Sequence, residues 1–424
     1  MKQTAWPFVQ LGDIAEFRNG MNYNKDNFGE GLKVVNVKDF QDRLIADLAD
    51  LDEINPEGIV REECYLKDGD IIFVRSNGNR ELIGRSMLVK GVTEPVSHSA
   101  FSIKVRFNAN RVLPRFYAYV FRTALIRTEL SNRGGGTNIS NLNQDILSTL
   151  QVPKPPLTTQ RKIASILSAY DDLIENNTRR IAILEAMAQA IYREWFVEFR
   201  FPGHEKVKLV DSPLGKIPEG WKVSPIQSYL NHSTSGLSPS NFAEEDFAHF
   251  SIPNFDKGKL PGIEKGASIQ SNKFLVPEGC ILLSKLNPRI PRIWLSDPDL
   301  AHRAIASTEF LVMTPKPSFS KEFIYCQLQS EEFYGRFNSC SSGTSTSHQR
   351  VKPTDFMKLQ AVLPPNSLMS HFTDHATPLF RLIHNKKLQI QNLRKTRDLL
   401  LPKLISGQLD VEDLDIETGE AITE

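Results

Sequence analysis

From Ile163 onward the apolar residues fall alternately four and three positions apart: Ile163, Leu167, Tyr170, Ile174, Asn177, Ile181, Leu184, Ala188, Ile191 and Trp195. Apart from Asn177 this is the a/d seam of a heptad repeat, and the spacing predicts one long amphipathic helix from about Thr159 to Phe196. At 1.5 Å per residue such a helix is on the order of 55 Å long. A second seam follows far downstream: Phe372, Ala376, Leu379, Ile383, Lys386, Ile390, Leu393, Arg397, Leu400 and Leu404. Pro402 is expected to end or kink that helix near its last turn.

The two seams align without a gap when 209 is added to each number. Ile163 then faces Phe372, Ile174 faces Ile383, Asn176 faces Asn385, Ile181 faces Ile390 and Leu184 faces Leu393. Ahead of each helix the pattern changes to short apolar runs bounded by turn residues, which read as strands. Those runs also correspond. WPFVQLGDIAEF (from Trp6) resembles GWKVSPIQSYL (from Gly220), and YLKDGDIIFVR (from Tyr65) resembles FLVPEGCILLSK (from Phe274) with one residue inserted. The expected fold is α+β: two tandem mixed globules, each followed by a long helix. The expected boundaries are 1–152 for the first globule, 153–205 for the central helix region and 206–362 for the second globule. The distal helix region follows at 363–409, then an acidic tail at 410–424 that is expected to be disordered and solvated.

Charge changes the picture by naming what the seams pack against. Between Asp171 and Glu198 the first helix has six acids against three arginines; between Arg381 and Lys403 the second has seven bases against Asp398. Opposite charge beside matched seams predicts that the helices pair with each other, with Asn177 and Lys386 helping to set register. An antiparallel pair would relate the globules by an approximate two-fold. The alternative is that each stripe packs only on its own globule.

Composition narrows the class. The chain has 424 residues, 40% hydrophobic and 24% charged, which suits two or three globular domains. No apolar run reaches membrane-spanning length, and the N-terminal residues lack a secretory h-region, so no membrane is expected. Four scattered cysteines without a C-x-x-C pair fit a reducing cytoplasm better than a disulfide or zinc framework. Net charge is +1, but seven of the acids lie in residues 410–424, leaving 51 basic against 43 acidic residues elsewhere. That mild excess is compatible with nucleic acid.

The run G-T-x-I-x-N-L, continued by L-Q-V-P-x-P-P-L-x-x-Q-R-K-I-A-S-I-L, spans Gly136 to Leu167. With D-x-L-I-E-x-N (Asp171 to Asn177) and L-L-P-K-L-I-S-G-Q-L (Leu400 to Leu409), it resembles the specificity subunit (HsdS) of type I restriction–modification systems. The resemblance covers the whole chain, although PPNSLMSHF in the second copy departs from P-P-L-x-x-Q-R-K-I. It implies two target recognition domains, each reading one half of a split double-stranded DNA sequence, with the helices fixing the gap. It also implies two methyltransferase subunits docked on those helices, a nuclease/translocase subunit in the same complex, and adenine-N6 methylation by the complex. No catalytic site or cofactor of its own is implied.

A search for chemistry agrees with that expectation. GNRELIGRS (Gly78 to Ser86) has five residues between its glycines and Arg85 where a phosphate loop needs lysine. NPRIP (Asn287 to Pro291) lacks the second proline and aromatic of an amino-methyltransferase site. DPDL (Asp297 to Leu300) has no following carboxylate-x-Lys of a nuclease, and His371/His375 lack a metal-binding glutamate. A stand-alone nuclease or methyltransferase is therefore disfavoured; a protein-binding scaffold is the other alternative.

Base reading needs donors and acceptors held on a firm scaffold. Four stretches have that make-up. In the first globule the candidates are Arg75, Asn77, Arg80 and Arg85 after the strand GDIIFV, and Thr137, Asn138 and Asn141 in a glycine-rich loop. In the second they are Lys285, Asn287, Arg289 and Arg292 after ILL, and Thr344, Ser345 and Arg350 in SCSSGTSTSHQR. His98 and His302 are expected nearby. Thr137 and Thr344, beside glycines, suit backbone contact.

Overall fold

The structure is a computed structural model and describes residues 6–40, 43–58, 60–108, 110, 112–133, 141–296, 301–342 and 349–416. The chain divides into two compact units, residues 1–174 with 392–424, and residues 175–391.

In the first unit the apolar run Ile71–Val74 is buried at every residue and forms an inner strand of a four-stranded antiparallel sheet. Its strands run in the order Ala15–Asn19, Ser102–Phe107, Ile71–Val74, Ser86–Leu88. A second sheet places Phe28–Val35 between Asp52–Ile54 (antiparallel) and Val96–His98 (parallel). Phe8–Gln10 pairs with Gln151–Pro153, closing the unit just before the long helix.

In the second unit the same order recurs. Ile281–Ser284, again wholly buried, lies between Phe310–Pro315 and Ile293–Leu295, with Leu230–Ser233 beyond. Asp246–Phe250 lies between Gly262–Lys265 (antiparallel) and Arg303–Ala306 (parallel). Lys222–Pro225 pairs with Gln360–Leu363. The internal repeat that the seams predicted thus extends through strand order and pairing sense.

The central helix spans Leu157–Tyr192 and continues as a π-helical turn, Arg193–Val197; the distal helix spans Asn366–Ile405. Every seam residue of both helices is buried or half-buried. Flanking Leu173, Ile183, Leu382 and Leu399 are exposed. Ile174, Asn177, Ile383 and Ile390 are all under 9% exposed, so the heptad reading holds through the middle of both helices.

The helices pair antiparallel. In the first unit the start of the central helix meets the end of the distal one: Ile163, Ala164 and Leu167 share a core with Leu404, Ile405, Leu400 and the globule residues Tyr117, Leu147 and Val152. Arg397 Nη1 lies 2.5 Å from Asp171 Oδ1, the predicted attraction of opposite charge. In the second unit the end of the central helix meets the start of the distal one. Phe372 lies 6.1 Å from Tyr192, 5.3 Å from Phe196 and 6.2 Å from Phe323, ring centre to ring centre. Ile191 and Leu379 pack against the same core. The seams therefore serve both interfaces, helix on helix and helix on globule. Pro402 sits inside the last turn of the distal helix, which ends three residues later before Gly407 in the left-handed region. The acidic tail begins docked: Val411 is buried in the first unit's core, and Lys162 Nζ donates to the Glu412 carbonyl at 2.6 Å.

Candidate nucleic-acid interface

In the first unit the strand Ile71–Val74 emerges at Arg75. The Arg75 and Ser76 amides donate to the Phe101 carbonyl at 2.8 and 3.3 Å. On the other side the Leu142 amide donates to the Arg75 carbonyl at 2.8 Å, and Ser76 forms an isolated antiparallel bridge with Asn141. Backbone bonding thus brings together the strand-end loop, the turn at 99–102 and the residues Asn141 and Leu142.

The second unit repeats the arrangement. Lys285 N donates to the Glu309 carbonyl at 2.9 Å, Val351 N donates to the Lys285 carbonyl at 3.0 Å, and Leu286 bridges Arg350. Asn287 N also donates to the Gln349 carbonyl at 2.9 Å.

The candidate side chains differ in how they are held. Arg75 is half-buried, with Nη1 3.5 Å from the Ala100 carbonyl. Asn77 Oδ1 accepts from the Asn79 amide at 2.7 Å, shaping a turn in which Asn79 in turn accepts from Glu81 N. Arg80 opens a 3-10 turn, Arg80–Leu82. Arg85 Nη1 reaches the Phe40 carbonyl at 3.4 Å, and the loop rejoins the sheet through Gly84 at φ +73°, a conformation a side chain would strain.

In the second unit Arg289 is exposed and Lys285 half-buried. Asn287 takes φ +48° and its Oδ1 is buried without a hydrogen-bond partner. Arg292 is buried at 8% exposure and makes a two-pronged pair with Asp256, at 2.8 and 2.9 Å, which commits its donors inside the unit. Arg350 makes a similar pair with Glu309, both contacts 3.0 Å, at the surface. Thr137, Asn138, Thr344 and Ser345 lie outside the described residues.

Two tethers were not legible in the sequence. Arg127, from the helix Ala124–Arg133, donates to the carbonyls of Ile83 (3.3 Å) and Glu81 (3.0 Å). Tyr334, from the helix Glu331–Ser339, donates to the Ile290 carbonyl at 3.2 Å. Each helix thereby pins the loop that follows the buried strand. Burial, then Arg85 and Arg122, lowers the Arg127 pKa; burial pushes the Tyr334 hydroxyl up to about 12. His98 is not at the surface. It is fully buried, its Nδ1 2.9 Å from Ser102 Oγ, and burial followed by the Lys104 charge lowers its pKa to about 3.

Among the described residues no group of three or more His, Cys, Asp or Glu could hold a metal ion, and no helix is long and apolar enough to cross a membrane.

These features define a class: an internally repeated α+β chain that presents two unlike polar edges and joins its repeats through antiparallel helices. Comparison with known proteins names the family. Residues 3–186 match the family described as the type I restriction modification DNA specificity domain. The putative type I restriction enzyme MjaX specificity subunit of Methanocaldococcus jannaschii is 30% identical over 420 residues, covering 96% of this chain and 94% of that one. The EcoKI specificity subunit of Escherichia coli is 21% identical, covering 98% and 92%. The crystal structure of the type I restriction–modification S subunit from M. genitalium shares the fold at a TM-score of 0.54 and 15% identity, covering 95% of this chain and 97% of that one. The chain belongs to the type I restriction enzyme specificity subunits.

Proposed function

We propose that this chain reads a split, asymmetric double-stranded DNA site, residues 1–152 contacting one half and residues 206–362 the other. The observation that carries the reading is the repeated edge. The same three backbone segments converge in each unit, and they carry different side chains: Arg75, Asn77, Arg85 and Asn141 against Lys285, Asn287, Arg289 and Arg350. Arginine suits guanine, and asparagine suits adenine, when either meets a base edge with two bonds. Arg80, Thr137, Asn138, Thr344 and Ser345 join these as candidate contacts on sequence grounds. Arg292, held by Asp256, is better placed to shape the loop than to reach a base.

In this reading the central and distal helices set the gap between the half-sites and carry two methyltransferase subunits, with a nuclease/translocase subunit completing the complex. Half-sites one turn of DNA apart are separated by roughly 34–36 Å, within the reach of a helix of 36 residues at 1.5 Å each. The chain itself performs no methyl transfer or cleavage and needs no cofactor. Methylome sequencing of a host with and without the gene tests this. A split methylated motif that vanishes with the gene is the expected result; an unchanged methylome would refute it. Adding four residues to the central helix should change the gap in that motif and leave both halves intact.

A further inference from the structure

The turn at 98–102 carries an aromatic side chain that the proposed contacts do not include. Phe101 is 60% exposed, yet its backbone is among the most firmly tied on that edge. Its carbonyl accepts from the Arg75 and Ser76 amides, the Ala100 amide donates to Met21 O at 2.8 Å, and the Ser102 amide donates to Ser99 O at 2.9 Å. Beneath the turn Gly20 comes so close that a Cβ there would sit 2.2 Å from the Ser99 carbonyl. His98 and Ser102 anchor it from inside. The ring is therefore presented on a rigid turn beside Arg75 and Asn141.

The same position in the second unit is Glu309, because Lys285 N bonds its carbonyl as Arg75 N bonds that of Phe101. There the side chain pairs with Arg350, the counterpart of Asn141. One scaffold position thus carries an exposed apolar ring in one copy and a charged pair in the other.

We propose that Phe101 is a specificity-determining residue of the first half-site, contacting the 5-methyl group of a thymine in the major groove. This rests on the reading of residues 1–152 as a DNA reader and goes beyond it in naming the base feature. Phenylalanine is among the side chains that make apolar contact with that methyl, and no other base edge in the groove offers one.

The test uses the complete methyltransferase complex and a duplex bearing its mapped site. Each thymine of the first half-site is replaced singly by deoxyuridine, which deletes the methyl and keeps every hydrogen-bonding group. One replacement should weaken wild-type binding about fourfold, the ratio expected for removing one buried methyl-sized group. Phe101→Ala should weaken binding to the thymine site by a similar factor and abolish the difference between thymine and uracil. Glu309→Ala, the matched change in the other unit, should leave that difference intact. The proposal is overturned if no replacement affects the wild type, if Phe101→Ala still distinguishes the two bases, or if the first half-site holds no T·A pair. Failure of the broader reading looks different: exchanging residues 1–152 would then leave both halves of the methylated motif unchanged.

Discussion

The strands Ile71–Val74 and Ile281–Ser284 hold the same place in their sheets and are buried along their whole length. One residue further on the two units part. The first presents Arg75, Phe101 and Asn141; the second presents Lys285, Glu309 and Arg350 on the same backbone scheme. Burial constrains a strand on both faces, whereas a turn bonded through its own backbone leaves its side chains free. A duplicated scaffold can therefore carry two different recognition chemistries without disturbing either core. The largest effect should come from breaking this pairing outright. Exchanging residues 1–152 for those of a relative should replace one half of the methylated motif and leave the other half and the gap unchanged. Each mismatched base pair costs about 1–3 kcal/mol, so the original site should be lost altogether. Methylome sequencing of the exchanged host reads this directly, and a motif altered on both sides would mean that the units do not read independently.

The two ends of the helix pair differ as well. In the second unit Phe372 is wholly buried among Tyr192, Phe196 and Phe323; in the first, Ile163 and Leu167 meet Leu404 and Ile405. Phe372→Ala should destabilise the chain by about 3–5 kcal/mol, and Leu404→Ala by about 2–5 kcal/mol, as buried aromatic and aliphatic truncations do. Urea denaturation of both variants sharpens the contrast. A smaller loss at Phe372 would show that the aromatic end is not the firmer one.

Much of this arrangement was legible in the sequence, for a physical reason. A seam repeated every seven residues has one good geometry, so Ile163 to Trp195 and Phe372 to Leu404 announced both helices and their partnership, and the apolar runs IIFV and ILLS announced strands. The loops were visible only as composition. Arg127 and Tyr334 could not be found as tethers, because nothing local to either residue shows which carbonyl a distant loop will offer. Arg292 looked like a free donor, and Asp256, which holds it, is 36 residues away. His98 was expected near the site and does lie under its turn, but its burial could not be read locally, because a polar pair such as Ser97 and His98 in a strand carries no sign of the partner Ser102.

That buried histidine has no counterpart at the matching place in the other unit. The position equivalent to His98 is Ala306, since each residue ends a strand paired in parallel with the inner strand of its sheet, at Val35 and at Phe250. The folded pKa of His98 is lowered to about 3 by burial and by Lys104, against 6.5 for an exposed imidazole. Below pH 6.5 the unfolded chain takes up a proton that the folded chain refuses, so stability falls as the pH falls. The slope is at most about 1.4 kcal/mol per pH unit, or roughly 2 kcal/mol between pH 6.5 and pH 5. His98→Gln should flatten that part of the dependence. Urea midpoints at pH 7 and pH 5 for the wild type and the variant provide the check; equal shifts in both would remove His98 as the cause.

The smallest stability effect is expected where the proposed role in recognition is clear. Arg350 and Glu309 are paired at the surface, their side chains 44% and 26% exposed, and such pairs contribute about 0–1 kcal/mol. Arg350→Gln should therefore leave the urea midpoint nearly unchanged. Its effect on recognition should be confined to one side: relaxed discrimination in the second half of the motif, with the first half read as before, by methylation of a library randomised at both halves. Glu309→Gln should act differently. It leaves the Arg350 guanidinium in place but removes the carboxylate that holds it, so the second half-site should shift in preference instead of merely loosening. A pair that served only the fold would give the opposite pattern, a lowered midpoint in both variants and no change in either half of the motif.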